Sequence, residues 1–383
     1  MKSHITLIFL ISISITSFAQ QTEKSGDALL LEYYQNQRFA DALDYLRKTY
    51  PEPISDAKIL SGLAYTSQMA GKLADAEGYY LRIYQKDSTS IALLYNLGNL
   101  NLRRGNNGKA LVYFKKILQK DSTNFNVYKQ LATISYNTGD LKSDSGYLQK
   151  ANLINPIDPD VAADLATIFI NQKAYIKADT IVSKALKADT ANLLLLHQKA
   201  IVNYRLEKFP ETITICQQLI IGGAVSSDVI NMLGISYFMV KRYKECISAF
   251  EILETNKTAS ETSYYYTAMS YKALRDQDKA IDYLNKAIKE AISSNVNSYY
   301  SEMGDSYQKI HELNKAAGAY QKSLLYDSKP MITYYVLANL YDADLKNKAN
   351  AIKYYRKYIK TNPPQKQSTY VTYAKSRLKE LSR

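Results

Sequence analysis

The chain has 383 residues, 46% of them hydrophobic, with only eight Pro and 14 Gly. That length exceeds what one compact core holds unless the core grows linearly as in a repeat array, and the scarcity of Gly and Pro argues against a β-sandwich and against disorder. The formal charge of +13 comes from 49 basic and 36 acidic residues that are interspersed, not blocked, which describes a solvated surface or an attraction to an anionic partner; no nucleic-acid-reading motif accompanies it, so no nucleic acid is expected as partner.

At the N-terminus Lys2 precedes an apolar stretch from Ile5 to Phe18, and Ser17-Phe18-Ala19 offers small residues before Gln20. This is the pattern of a secretory leader cut after Ala19, and the stretch is short of the ~20 residues that span a bilayer. No Cys follows the leader, which argues against a lipid anchor. The expectation is an exported chain, periplasmic or secreted, with no transmembrane segment after cleavage. The Lys-, Asn-, Tyr- and Ile-rich remainder leans bacterial.

Ser227–Ser260 reads as two amphipathic helices joined by a tight turn at Val240–Arg242. Leu233, Gly234 and Tyr237 share one face, and Phe250 and Leu253 share another. The pattern recurs every 34 residues, with starts at Glu23, Ala57, Ile91, Phe125, Pro159, Leu193, Ser227 and Glu261. Two extra residues near Ser293–Val296 move the ninth start to Asn297, and the tenth is Met331. The eighth position is Leu30, Ala64, Gly98, Ala132, Ala166, Ala200, Gly234, Ala268, Gly304 and Ala338: small nearly throughout, as close helix approach requires. The seventh is mostly Leu; Lys199 and Thr267 break it, which predicts looser packing in those two hairpins.

Second helices carry a small residue (Ala76, Ala110, Ala178, Cys246, Ala280, Ala316) and, four later, a large apolar one (Tyr80, Phe114, Val182, Phe250, Leu284, Tyr320). In the tenth repeat Ala351 and Tyr355 sit one residue late, which predicts an insertion in the Asp342–Asn350 turn. Gly71, Gly105 and Gly139 suit turns with positive φ. Asp87-Ser88, Asp121-Ser122 and Asp189-Thr190 suit caps for the helices that follow. Beyond Pro363-Pro364, Tyr370–Leu381 reads as a closing helix with Lys375, Arg377 and Lys379 facing water.

A helix–turn–helix of this length with Leu-Gly/Ala…Tyr in its first helix and Ala…Phe…Ala in its second resembles the tetratricopeptide repeat. The best matches are Leu97-Gly98 with Gly105, Ala110 and Phe114, and Leu233-Gly234 with Tyr237 and Phe250. The resemblance covers about Glu23 to Pro364. It implies an all-α fold: a right-handed superhelical solenoid of about ten repeats plus a C-terminal capping helix, divided as leader 1–19, array 20–366 and cap 367–383. It also implies that the first helices line a concave groove and that the role is protein–protein interaction. The carboxylate clamp of the chaperone-binding subgroup is incomplete: Lys129 suits it, but Thr133 stands where an Asn belongs.

On the first helices the fifth, ninth and twelfth positions form a stripe at i, i+4, i+7, which in that family faces the groove; the thirteenth lies beside it. The candidate partner-binding residues there are Tyr65, Tyr95, Asn99, Arg103, Tyr136, Asn137, Asn171, Tyr204, Arg205, Asn231, Phe238 and Tyr265. Rings and amides suit a protein or peptide partner, possibly within an envelope complex; the alternative for each ring is packing against the next repeat. Tyr stacking also admits a polysaccharide or peptidoglycan module, although Trp is absent.

Nothing points to an enzyme or a cofactor. His197 and His311 lie more than three repeats apart with no ligand cluster, so no metal is expected. No phosphate-binding Gly loop, HExxH or nucleophile elbow is present. Cys216 and Cys246 occupy core positions on neighbouring second helices, which favours two buried thiols over a bridge.

Overall fold

The structure, a computed structural model, describes residues 26–291, 295–327, 329 and 331–382. The expected leader, the Glu23 start and Pro330 lie outside those residues, as do residues 292–294 of the expected insertion. Among the described residues every regular element is a helix. The fold is all-α, a repeat solenoid.

The chain divides into two compact bodies, one ending at Tyr147 and one beginning at Leu148. The first is built from helix pairs: α1 (Gly26–Gln35) with α2 (Phe39–Thr49), α3 (Ala57–Met69) with α4 (Leu73–Lys86), α5 (Ile91–Arg103) with α6 (Asn107–Lys120), then α7 (Phe125–Asn137) and α8 (Leu141–Ile154), inside which the division falls. The second continues with α9 (Pro159–Asn171) and α10 (Tyr175–Leu186), α11 (Leu193–Arg205) and α12 (Phe209–Ile221), α13 (Ser227–Met239) and α14 (Tyr243–Thr255), and α15 (Glu261–Ala273) and α16 (Gln277–Glu290). It ends with α17 (Val296–Lys309) and α18 (Leu313–Tyr326), α19 (Met331–Asn339), a π-helical turn Leu340–Asp344, α20 (Lys348–Lys360), and α21 (Ser368–Leu381). Eight of the expected repeat starts are helix starts to the residue; the ninth falls at Val296, one residue before Asn297.

First helices pack on their own second helices, as α3 does on α4 and α13 on α14, and second helices such as α4, α12 and α14 pack on the first helix that follows. The eighth position is where this closes. Ala64, Ala166, Ala200, Ala268 and Ala338 are fully buried there. Where the position is Gly, an aromatic ring from the second helix lies against it: Phe114 on Gly98, Phe250 on Gly234, Tyr320 on Gly304. The core therefore runs from hairpin to hairpin, through Ala200, Cys216, Leu233 and Phe250 in the second body. Both cysteines are free and buried.

In the first nine hairpins the turn ends the first helix in one way. Arg242 N–H donates to Tyr237 C=O at 2.8 Å and Lys241 N–H to Phe238 C=O at 2.9 Å, the paired bonds of a left-handed helix stop. Gly71, Gly105 and Gly139 hold that left-handed residue with φ of 76° each, but Gln37, Lys173, Glu207, Lys241, Arg275, His311 and Lys346 hold it elsewhere. Local hydrogen bonding, not glycine, fixes the turn.

Four expectations are corrected. Lys199 does not loosen its hairpin: its ammonium reaches back to Asp179 and to Ser183 at 2.8 Å, and Lys208 flanks the same carboxylate at 3.5 Å. Thr267 is buried and its hydroxyl donates to Ser263 C=O at 2.8 Å. The Asp of each Asp-Ser/Thr pair folds its own loop, as Asp87 accepts Thr89 N–H at 2.7 Å, while the cap proper is three residues on, at Ser90, Asn124 and Asn192. The extra residue of the tenth repeat is taken up in the widened turn Leu340–Asp344, at the end of the first helix and ahead of most of the expected segment.

That widening has a partner in α21. It turns Asp342 inward, where Arg377 grips it with two bonds of 2.7 and 2.8 Å and the Tyr355 hydroxyl adds a third at 3.3 Å. Arg377, though partly exposed, thus turns its guanidinium to the carboxylate, because a guanidinium fork matches a carboxylate edge; Lys375 and Lys379 are exposed as expected.

Candidate functional site

The first-helix stripe separates into an inner and an outer part. Most side chains at positions five, nine and twelve are buried or half-buried, with Tyr65 and Tyr136 among the exposed exceptions; those at position thirteen lie further round and meet solvent.

In the first body Tyr95 is half-buried, its ring edge-on to Phe114 at 5.8 Å, and Asn99 is half-buried beside it. Tyr65 is half in solvent and edge-on to Tyr34 at 6.3 Å. Arg103, Tyr136 and Asn137 are exposed, Tyr136 at 68%.

In the second body Asn171 and Arg205 are exposed. Tyr204 is half-buried on Phe209 at 6.3 Å, and burial pushes its hydroxyl pKa up. Phe238 packs on Tyr243 at 5.6 Å and on Tyr266 at 5.1 Å; Tyr265 lies 5.1 Å from Tyr299. Asn231 is half-buried, and its Oδ1 is enclosed with no donor. The half-buried aromatics thus form ring contacts within and between hairpins, while among the described residues Arg103, Asn137, Asn171 and Arg205 make no side-chain hydrogen bond or ion pair.

Two polar contacts on this stripe join successive first helices. His197 Nε2 lies 2.6 Å from Asp228 Oδ2. Burial raises the Asp228 carboxyl, but hydrogen bonds from Ser226 and His197 outweigh it and hold it below the usual range. Lys272 is pinned between Glu302 at 2.5 Å and Asp305 at 2.6 Å. Lys272, at the twelfth position of its repeat, is thus neutralised. The available sequence signal for this was a pair of acids on the following first helix.

Burial pushes the Cys216 thiol up to about 12 and the Cys246 thiol to about 11, so neither is a thiolate at neutral pH. Among the described residues no group of three His, Cys, Asp or Glu could hold a metal ion, and no helix is long and apolar enough to cross a membrane.

Two models described as the tetratricopeptide repeat match the chain, one at residues 262–291 across α15 and α16, the other at 333–365 across α19 and α20. At those two segments the chain is similar to the tetratricopeptide repeat. TPR repeat-containing protein MJ1428 of Methanocaldococcus jannaschii is 27% identical over 127 residues, 33% of this chain and 22% of that protein's length. Among solved structures, the C-terminal part of a TPR repeat-containing protein from Cytophaga hutchinsonii is similar with a TM-score of 0.45 and 18% identity, over 71% of this chain and 98% of the other. A tetratricopeptide repeat protein from Parabacteroides merdae gives a TM-score of 0.42 and 18% identity, over 63% and 96%. The two matched segments fall in the second body, where Tyr265 and Lys272 lie on a tetratricopeptide-repeat first helix.

Proposed function

We propose that the chain is a non-enzymatic interaction scaffold that holds an extended segment of a protein partner along the first-helix stripe, and that it works in the bacterial cell envelope after export. The supporting observation is the run of exposed, uncommitted side chains at the twelfth and thirteenth positions: Arg103, Tyr136 and Asn137 in the first body, Asn171 and Arg205 in the second. Rings grip apolar side chains, while amides and guanidinium groups bond a peptide backbone. Tetratricopeptide repeats commonly serve as protein-interaction scaffolds. Export rests on the sequence of residues 1–19.

The test is photo-crosslinking in the native host with benzoylphenylalanine at Tyr136 or Asn171, and at Val112 on α6 as control. The stripe positions are expected to yield one discrete adduct that Arg103→Ala or Arg205→Ala diminishes. An equal adduct from Val112 would place the contact off the stripe. Fractionation with N-terminal sequencing is expected to find a mature chain beginning at Gln20; an unprocessed cytosolic chain would sink the export reading.

A further inference from the structure

In repeats 7 and 10 the eleventh position bridges consecutive second helices. In repeat 7 it is Tyr237, buried, whose hydroxyl accepts from Gln217 Nε2 of the preceding second helix at 3.0 Å. In repeat 10 it is Tyr341, whose hydroxyl accepts from Gln321 at 2.8 Å. Both pairs are separated by 20 residues in sequence. In repeat 4 the eleventh position is Ser135, and Lys115 stands where Gln217 and Gln321 stand. No ring reaches across. A cavity of about 160 Å³ opens there instead, between α6, the end of α7 and the start of α8, with Leu111, Lys115, Ile134, Ser135 and Tyr147 in its wall. Repeats 2, 3, 5 and 6 also lack the tyrosine, with Ser67, Asn101, Phe169 and Asn203 in its place; Asn101 fills its own place by bonding Leu97 C=O at 2.9 Å and Asn106 at 3.3 Å.

The geometry points to a binding site for a tyrosine side chain carried by a partner polypeptide, seated where the chain's own tyrosine sits in repeats 7 and 10. A cavity of roughly 150 Å³ takes one benzene ring, so the volume admits a phenol and little more. Leu111, Ile134 and Tyr147 supply apolar and aromatic wall. Lys115 is exposed and supplies the donor that Gln supplies elsewhere. Asp140, also in the wall, is already committed to the Ser143 N–H at 3.1 Å. This site lies off the stripe of the preceding section and stands or falls separately from it.

Saturation-transfer NMR and calorimetric titration of the full chain test it, with p-cresol, toluene, N-acetyltyrosinamide and N-acetylphenylalaninamide as probes. Saturable binding of p-cresol and N-acetyltyrosinamide is expected, each tighter than its counterpart lacking the hydroxyl. Lys115→Met should weaken the phenols about tenfold, the worth of one hydrogen bond to a charged group, and leave toluene unchanged. Ser135→Tyr should fill the cavity and abolish binding of all four. Failure of p-cresol to bind would overturn the proposal, as would equal binding of toluene. Binding of p-cresol without N-acetyltyrosinamide would show the cavity closed to a ring on a chain, and would overturn it too. Should Ser135→Tyr misfold, the Lys115→Met comparison decides.

Discussion

The ring of Phe250 occupies the space that a side chain on Gly234 would need: a Cβ there would lie 2.5 Å from Phe250 Cζ. Phe250 is 3% exposed and has nowhere to withdraw. Where the eighth position is Ala in repeats 5, 6 and 8, the facing residue is smaller, as with Ala268 and Leu284.

Gly234→Ala is therefore expected to cost about 1–3 kcal/mol, the range for overpacked cores, and Gly234→Leu more. Gly234→Ala with Phe250→Leu should recover most of the loss, because it recreates the Ala268–Leu284 pair. Thermal melts of the two single variants and the double variant close the cycle. Additive costs would mean that the two residues do not oppose each other.

The left-handed turn residues give a second prediction. Lys173 and Lys241 hold φ of 59° and 63° without glycine, a conformation that costs a side-chain-bearing residue about 1 kcal/mol. Lys241→Gly and Lys173→Gly should each raise stability by roughly 0.5–1 kcal/mol in denaturant titrations. Gly105→Ala should do the reverse. A Cβ on Gly105 meets nothing within 4 Å, so its cost would be backbone strain alone.

A third prediction concerns α21. Hydrogen bonds from Arg377, against an opposing push from burial, hold the Asp342 carboxyl below the usual carboxylate range. A group whose pKa is lowered by folding stabilises above its unfolded value, about 3.9, and loses that contribution as pH falls through the folded value. Attachment of α21 should thus be constant from neutrality to about pH 4 and weaken below. Arg377→Met at neutral pH should speed amide exchange in α21 selectively, for a loss of about 2 kcal/mol, below the full 3–5 of a deeply buried pair because Arg377 is partly exposed. Uniform acceleration through α17 and α18 as well would mean that the contact holds more than the last helix.

The cysteines give a fourth. With both thiols raised by burial, neither should react with maleimide at pH 8 in the folded chain, and both should label once guanidinium unfolds it. Labelling of the native chain would require an opening of the α12–α14 core.

The repeat starts were legible because one small position and one large position recur in phase, and a helix cannot shift by a residue without turning both away from the core. Periodicity also gave the stripe, but not the rotamers: nothing in the spacing of Tyr95 or Tyr204 says that each ring turns inward to Phe114 or Phe209. Contacts between side chains far apart in sequence were invisible for the same reason. Lys199 read as a flaw until Asp179, 20 residues earlier, was seen beside it. Ser135 carried no signal in the sequence, because a vacancy is defined by its neighbours and not by the residue that leaves it.

Arrays of this kind lengthen by copying a repeat in phase. The widened turn at Leu340–Asp344 removes the tenth repeat from that stock. A copy of it placed upstream would carry a one-residue slip into the following hairpin, and a buried carboxylate whose guanidinium, 35 residues on in the present chain, would be replaced by an ordinary first helix. A repeat added or removed before Met331 would leave this contact intact, whereas a break between Met331 and Arg377 would part Asp342 from its guanidinium.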